Sequence, residues 1–224
     1  AGRAEYLRED GTLAEESQSH YVRALAFGLV PEALRAAAAA RLAALVHEAG
    51  DRLGTGFLST GLLLPALADH GQAEAAHRLL TETGMPSWLG MLEAGATTMW
   101  EWWDGVAEDG TARGSLNHYS KGAVVGFLHT HVVGLRLPPE PAPGEEAYRR
   151  MRIVPVPGPS LTHARSAQLT RAGRIVVAWR IEGGTFTLEV ELPTGTGAEV
   201  ELPDGGRREL DGGAHVLTCA FERG

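Results

Sequence analysis

The chain is short of several things at once, and each shortage removes a class of function. It holds one cysteine in 224 residues, Cys219, so no internal disulfide can form. The setting Val216-Leu217-Thr218-Cys219-Ala220-Phe221 reads as a strand, which makes the thiol a structural one. Basic side chains are outnumbered, 20 Lys and Arg against 28 Asp and Glu, for a formal net charge of -8. No basic patch is available to neutralise phosphates, so nucleic acid and anionic membranes are excluded as partners and an uncharged substrate is favoured. No apolar run approaches the roughly 18 to 20 residues that span a bilayer. The opening Ala1-Gly2-Arg3 shows no signal peptide; either a leader has been removed or the numbered chain is a piece of something longer. The compartment, cytoplasmic or secreted, stays open on this reading.

What is present changes character once. Residues 1–137 read as helices, 138–149 as a linker and 150–224 as strands. Tyr21, Val22, Leu25, Ala26 and Leu29 form a one-sided stripe at three- and four-residue spacing. Pro31 opens a second helix whose alanine run, Ala36 to Ala40, leads into Leu42, Leu45 and Val46 before Gly50 stops it. Leu62, Leu63, Leu64, Leu67 and Ala68 make the next apolar face, then Ala75, Ala76, Leu79 and Leu80. Pro86-Ser87 is a start signal for Trp88, Leu89, Met91 and Leu92, and a last helix is expected from Asn117 to Leu135. About six helices in alternating pairs, with wide apolar faces, suit a bundle or one half of an (α/α) toroid.

Pro138-Pro139-Glu140-Pro141-Ala142-Pro143-Gly144-Glu145-Glu146 is stiff linker material. Beyond it, Arg174 to Ile181, Thr185 to Leu192, Ala198 to Leu202 and His215 to Glu222 are short β-branched runs. Gly183-Gly184 and Asp204-Gly205-Gly206 supply hairpin turns, and Thr185 to Leu192 alternates with one face buried. An antiparallel β-sandwich without catalytic residues of its own is expected there.

Against this background, Thr97-Thr98-Met99-Trp100-Glu101-Trp102-Trp103-Asp104-Gly105 concentrates three of the 5 tryptophans around one carboxylate. Indole faces stack on the C–H face of a pyranose and exclude water, while a carboxylate between them can take or orient a proton. Trp100 and Trp103, one helical turn apart, equally suit a core, with Glu101 pointing to solvent. Asp104 beside Gly105 reads as a turn or cap residue, and Glu108 and Asp109 as a solvated loop. His129 and His131 are two apart on a helix and face different directions, so no metal site is expected. Gly54-Thr55-Gly56-Phe57-Leu58-Ser59-Thr60-Gly61 has the glycines of a phosphate loop but neither a preceding strand nor a following Lys-Ser/Thr, so no cofactor is expected.

The tryptophan segment together with Ser115-Leu116-Asn117-His118-Tyr119 resembles the bacterial alpha-L-rhamnosidases, glycoside hydrolase family 78. The glycine segment with Leu63-Leu64-Pro65-Ala66-Leu67, Pro86-Ser87-Trp88-Leu89, Arg152-Ile153-Val154-Pro155-Val156-Pro157 and Leu161-Thr162-His163-Ala164 are similar to further family segments in order and spacing. The resemblance implies the second half of an (α/α)6 barrel followed by a C-terminal β-sandwich. It implies inverting hydrolysis of terminal alpha-L-rhamnosides, with Glu101 as general base and His118 contacting the sugar. A helix-start histidine bonded to backbone is the other reading of His118. Trp100, Trp102 and Trp103 then brace or line the pocket. The family's general acid lies upstream of anything present here, so the chain alone is expected to be inactive and to associate with itself or with an N-terminal half-barrel. The alternatives are a non-catalytic carbohydrate-binding or assembly fragment, and an (α/α)6 glycosidase cutting another sugar.

Overall fold

The computed structural model describes residues 6–138 and 147–222, so most of the expected linker falls outside the described residues. The chain is helical and then β-rich, in two compact units, Ala1–Val125 and Gly126–Gly224.

In the first unit, α1 (Gln18–Ala26), α2 (Glu32–Glu48), α3 (Phe57–Ala68), α4 (Ala73–Thr81), α5 (Trp88–Glu93) and α6 (Tyr119–Gly122) follow in chain order. Tyr21, Val22 and Leu25 of α1 are buried as the stripe predicts, but Ala26, the last residue of the helix, is exposed, and so is Leu29, because the helix stops before it. Ser17 caps α1, its Oγ accepting from the His20 amide. The Gly50 stop works as expected: at φ +72 its amide donates to His47 O at 2.8 Å, and the Asp51 amide donates to Val46 O at 3.0 Å. That pair of bonds satisfies the last carbonyls of α2. The glycine segment is a turn into α3, held by Gln18, whose Oε1 accepts from the Gly54 amide at 2.8 Å and whose Nε2 donates to Arg52 O at 3.0 Å. Ser87 caps α5 by accepting from the Gly90 amide at 2.9 Å, so the Pro86-Ser87 start signal was read correctly.

The expected single helix from Asn117 to Leu135 is broken into pieces. α6 ends at Gly122, α7 spans Val124–Phe127, and Leu128–Val132 is a π-helical turn. Gly122 and Gly126 weaken the run, and Thr130 Oγ1 donates to Gly126 O at 2.8 Å, a competitor for the regular backbone bond. Gly134, at φ +94, ends it where an added Cβ would meet Pro155 N at 2.4 Å.

The second unit is one curled, six-stranded sheet: β1 (Leu135–Arg136), β2 (Arg150–Ile153), β3 (His163–Thr170), β4 (Gly173–Glu182), β5 (Thr185–Glu201) and β6 (Arg207–Ala220). The order is β1-β2-β5-β4-β3, with β6 also on β5. Two runs read separately from the sequence, Thr185 to Leu192 and Ala198 to Leu202, are one strand, bent by a register shift between Leu192 and Gly197. The pairing is antiparallel except that β2 joins β5 in parallel, a departure from the all-antiparallel expectation. The alternation holds from Leu188 on: Phe186, Leu188, Val190 and Leu192 are buried and Glu189 and Glu191 exposed, while Thr187 departs from it by being buried too. Gly183-Gly184 turns β4 into β5, and the Leu202 amide donates to Gly206 O at 2.8 Å across the β5–β6 turn. Trp179 stacks on Phe186 with ring centroids 5.6 Å apart and donates from Nε1 to Val132 O at 2.8 Å. Cys219 lies half-covered in β6 opposite Phe186, as its strand setting predicts; burial pushes its thiol pKa up.

Candidate functional site

The two segments that sequence reading singled out lie side by side. The Glu101 amide donates to Ser115 O at 2.8 Å, the His118 amide donates to Met99 O at 2.7 Å, and Thr98 Oγ1 bonds Leu116 O. α5 delivers the chain into this pairing through Gly95, whose amide donates to Leu92 O at 2.9 Å and whose φ of +87 reverses the backbone. Beneath it, Met91, Ala96 and Trp100 form a buried cluster, with Met99, Trp103 and Leu116 packed on its edge. Trp100 packs against Gly105 so closely that an added Cβ would lie 2.8 Å from its Cβ and 2.9 Å from its ring.

Glu101 projects from this platform half-buried. Its Oε2 accepts from the Ser115 amide at 2.9 Å, which fixes the carboxylate without neutralising it. Gly114, at φ +64, lets the chain pass edge-on to the Trp102 indole and to Oε2 of Glu101. The three tryptophans separate by burial. Trp100 is 5% exposed and belongs to the core cluster with Met91 and Ala96. Trp102 is 58% exposed and presents its indole beside the carboxylate. Trp103 is half-buried, edge-to-face with Trp88 at 5.7 Å.

His118 does cap a helix, as its structural reading holds: its Nδ1 accepts from the Ser120 amide at 3.2 Å at the start of α6. A neutral ring that accepts at Nδ1 carries its proton on Nε2. The ring is stacked on Tyr119 and lies edge-on to Phe57 at 6.1 Å. Asp104 is taken by the Arg113 guanidinium, consistent with the turn role expected of it. Glu108 and Asp109 sit on a small hairpin closed by Val106 and Ala112, where Asp109 Oδ1 accepts from the Thr111 amide at 2.9 Å and its pKa is lowered by that bond. His129 and His131 go separate ways, His129 Nδ1 to Ser166 Oγ at 2.7 Å and His131 onto the Phe127 ring at 4.8 Å. Among the described residues no cluster of three or more His, Cys, Asp or Glu side chains could hold a metal, and no helix is long and apolar enough to cross a membrane.

Sequence reading missed Lys121. It is 5% exposed on α6, with Nζ 4.3 Å from the Trp103 ring centroid, 3.5 Å from Trp100 O and bonded to Glu101 O. Burial pushes its ammonium down to about 8, against the opposing pull of the Glu101 and Asp104 carboxylates. Its own carbonyl accepts from Trp88 Nε1 at 2.9 Å. The only available signal was a lysine three places after His118, which in a helix reads as a solvated face.

Comparison with known proteins agrees over both units. The model of the bacterial alpha-L-rhamnosidase 6 hairpin glycosidase domain matches residues 1–132, and that of the bacterial alpha-L-rhamnosidase C-terminal domain matches residues 134–216. An alpha-L-rhamnosidase of Streptomyces avermitilis is 40% identical over 202 residues, 88% of this chain and 19% of that protein. One of Formosa agariphila is 34% identical over 191 residues, 84% of this chain and 20% of that protein. The solved structure of Streptomyces avermitilis alpha-L-rhamnosidase complexed with L-rhamnose matches at TM-score 0.86 and 35% identity, covering 97% of this chain and 23% of that one. The native enzyme of Aspergillus terreus matches at TM-score 0.88 and 33% identity, covering 97% of this chain and 26% of that one. The chain spans about a fifth of the length of the curated relatives it matches.

Proposed function

The chain belongs to the bacterial alpha-L-rhamnosidase family, and on that premise we propose that it supplies the general-base half of an inverting alpha-L-rhamnosidase site. The observation that carries the proposal is the Glu101 carboxylate, held by the Ser115 amide beside the exposed Trp102 indole. Inversion uses two carboxyl groups about 6.5 to 9.5 Å apart, one protonating the leaving oxygen and the other activating water on the opposite face of the sugar. With Oε2 anchored, the second oxygen of Glu101 holds that water and takes its proton as it attacks the anomeric carbon. Trp102 offers an apolar face for the rhamnose ring, and His118 Nε2 donates to a sugar hydroxyl. Trp103 and Trp100 hold the wall in place from behind.

On this reading the general acid comes from outside this chain, as the family resemblance implies, and the neighbouring Asp104 is paired with Arg113. A base without an acid gives a poor leaving group no help, so the chain alone should not hydrolyse an alkyl or aryl rhamnoside. The helices then make the second half of an (α/α)6 barrel. Exposed Phe57, Leu58, Leu92 and Tyr119 supply apolar surface for a second copy or for an N-terminal half to cover.

The test is Glu101→Gln in the polypeptide that also carries the N-terminal portion present in the relatives. Release of 4-nitrophenol from its alpha-L-rhamnoside should fall roughly 10²–10⁴-fold while L-rhamnose affinity is kept. Unchanged turnover would remove Glu101 from the chemistry.

A further inference from the structure

Glu101 can act as a base only if its backbone is fixed, since its side chain has a single hydrogen-bonded anchor and solvent on the other side. Of the charged groups around it, one is buried, and it bonds the backbone from which the carboxylate grows. We propose that Lys121 is a positioning residue for Glu101: its ammonium, tied to the Trp100 and Glu101 carbonyls and set over the Trp103 indole, locks the platform that aims the carboxylate. The inference rests on the assignment of Glu101 as the base.

Three observations converge. First, Lys121 reaches two consecutive carbonyls, Trp100 O at 3.5 Å and Glu101 O more closely, so it restrains the peptide between them. Secondly, the same ammonium lies 4.3 Å from the Trp103 centroid, a cation–π contact that is strengthened where water is excluded. Thirdly, α6 is itself fixed on both sides: Trp88 Nε1 binds the Lys121 carbonyl, and α3 approaches so closely that a Cβ on Gly61 would lie 2.8 Å from Ala123 Cβ. The lysine is therefore a strut between a rigid helix and the catalytic backbone.

The strut is sensitive to protonation. The charged groups facing Nζ are Glu101 and Asp104, and Asp104 is bound to Arg113. α3 carries no ionisable side chain, and on α5 the only one is the exposed Glu93 at its far end. His118, on the turn that opens α6, has Nδ1 engaged by the Ser120 amide. Burial brings the lysine down to about 8, so an ordinary alkaline buffer discharges it. The amine keeps weaker N–H donors but loses the charge assistance and the attraction to the indole. Above that pH the carboxylate should shift relative to its anchor on Ser115.

The Ser115 amide and the Trp103 indole N–H read this directly, by ¹H–¹⁵N NMR of the whole chain from about pH 6 to about pH 10. In the wild type both signals should move together with a midpoint near 8. In Lys121→Met the step should vanish and the Ser115 amide should rest at its high-pH position. In Lys121→Arg, which stays charged, the low-pH position should persist throughout, and this variant decides the matter if the methionine chain does not fold. A Ser115 amide that does not titrate in the wild type, or a step that survives in either variant, overturns the role of Lys121. No sugar enters the experiment, so rhamnoside hydrolysis that survived Glu101→Gln would remove the base assignment separately from this result.

Discussion

Trp100 and Trp102 stand two positions apart, yet they are 5% and 58% exposed, so truncating them should give opposite outcomes. Trp100→Ala empties the cluster with Met91 and Ala96 and should cost about 3–5 kcal/mol in a denaturant titration. Trp102→Ala should change stability by less than about 0.5 kcal/mol, while the affinity for L-rhamnose measured by calorimetry falls. If Trp102→Ala leaves sugar affinity unchanged, the exposed indole is no part of the sugar wall. Gly114→Ala puts a methyl 2.7 Å from that indole at a φ of +64, and should destabilise by about 1–3 kcal/mol. At this scale the segments of the proposed site were legible: one carboxylate among indoles stands out in a chain with 5 tryptophans. Lys121 was not, because a lysine on a helix betrays burial only once its neighbours in space are known. Nor could the sequence separate the three indoles, since spacing of one and two residues outside a regular helix sets no direction.

Elements with a strong period were easy to read. The stripe from Tyr21 to Leu25 and the alternation from Leu188 to Leu192 each record a surface half-covered by the rest of its own unit. What escaped was continuity. The sequence reading ends one run at Leu192 and starts another at Ala198, yet β5 continues between them with a bend, and Thr196 Oγ1 donating to Pro193 O at 2.8 Å takes up a backbone acceptor there. The opposite error befell the run from Asn117, where an unbroken apolar pattern hid two glycines that divide it. Gly61 sharpens the point about packing. A glycine inside a helix is normally worse than alanine by about 0.5–1 kcal/mol. Here the added methyl would meet Ala123 Cβ at 2.8 Å, so Gly61→Ala should lower stability by about 1–2 kcal/mol, read as a smaller urea midpoint at unchanged slope.

For the molecule as a whole, stability should carry the signature of Lys121. Its folded pKa is near 8 and its ordinary value 10.5, so between them the unfolded chain binds more protons and stability rises with pH. Below that window the buried ammonium is a cost; through it, the wild type should gain on the order of 2 kcal/mol relative to Lys121→Met. Denaturant midpoints of the two chains, taken across the window, check the sign. Association is the other global property. Exposed Phe57, Leu58, Leu92 and Tyr119 should make sedimentation of the isolated chain depend on concentration, and a monomer at every concentration would count against the half-barrel proposal.

The uneven burial of the indoles also gives the chain an optical handle. Trp88, Trp100 and Trp179 are sealed from solvent and Trp103 is half-covered, while Trp102 stands open to it. Most of the intrinsic emission should therefore be blue and shielded, and the red, iodide-quenchable fraction should come mainly from Trp102, beside the proposed base. Any molecule that settles on that ring must dim its access to the quencher and shift its colour, without a label having been added.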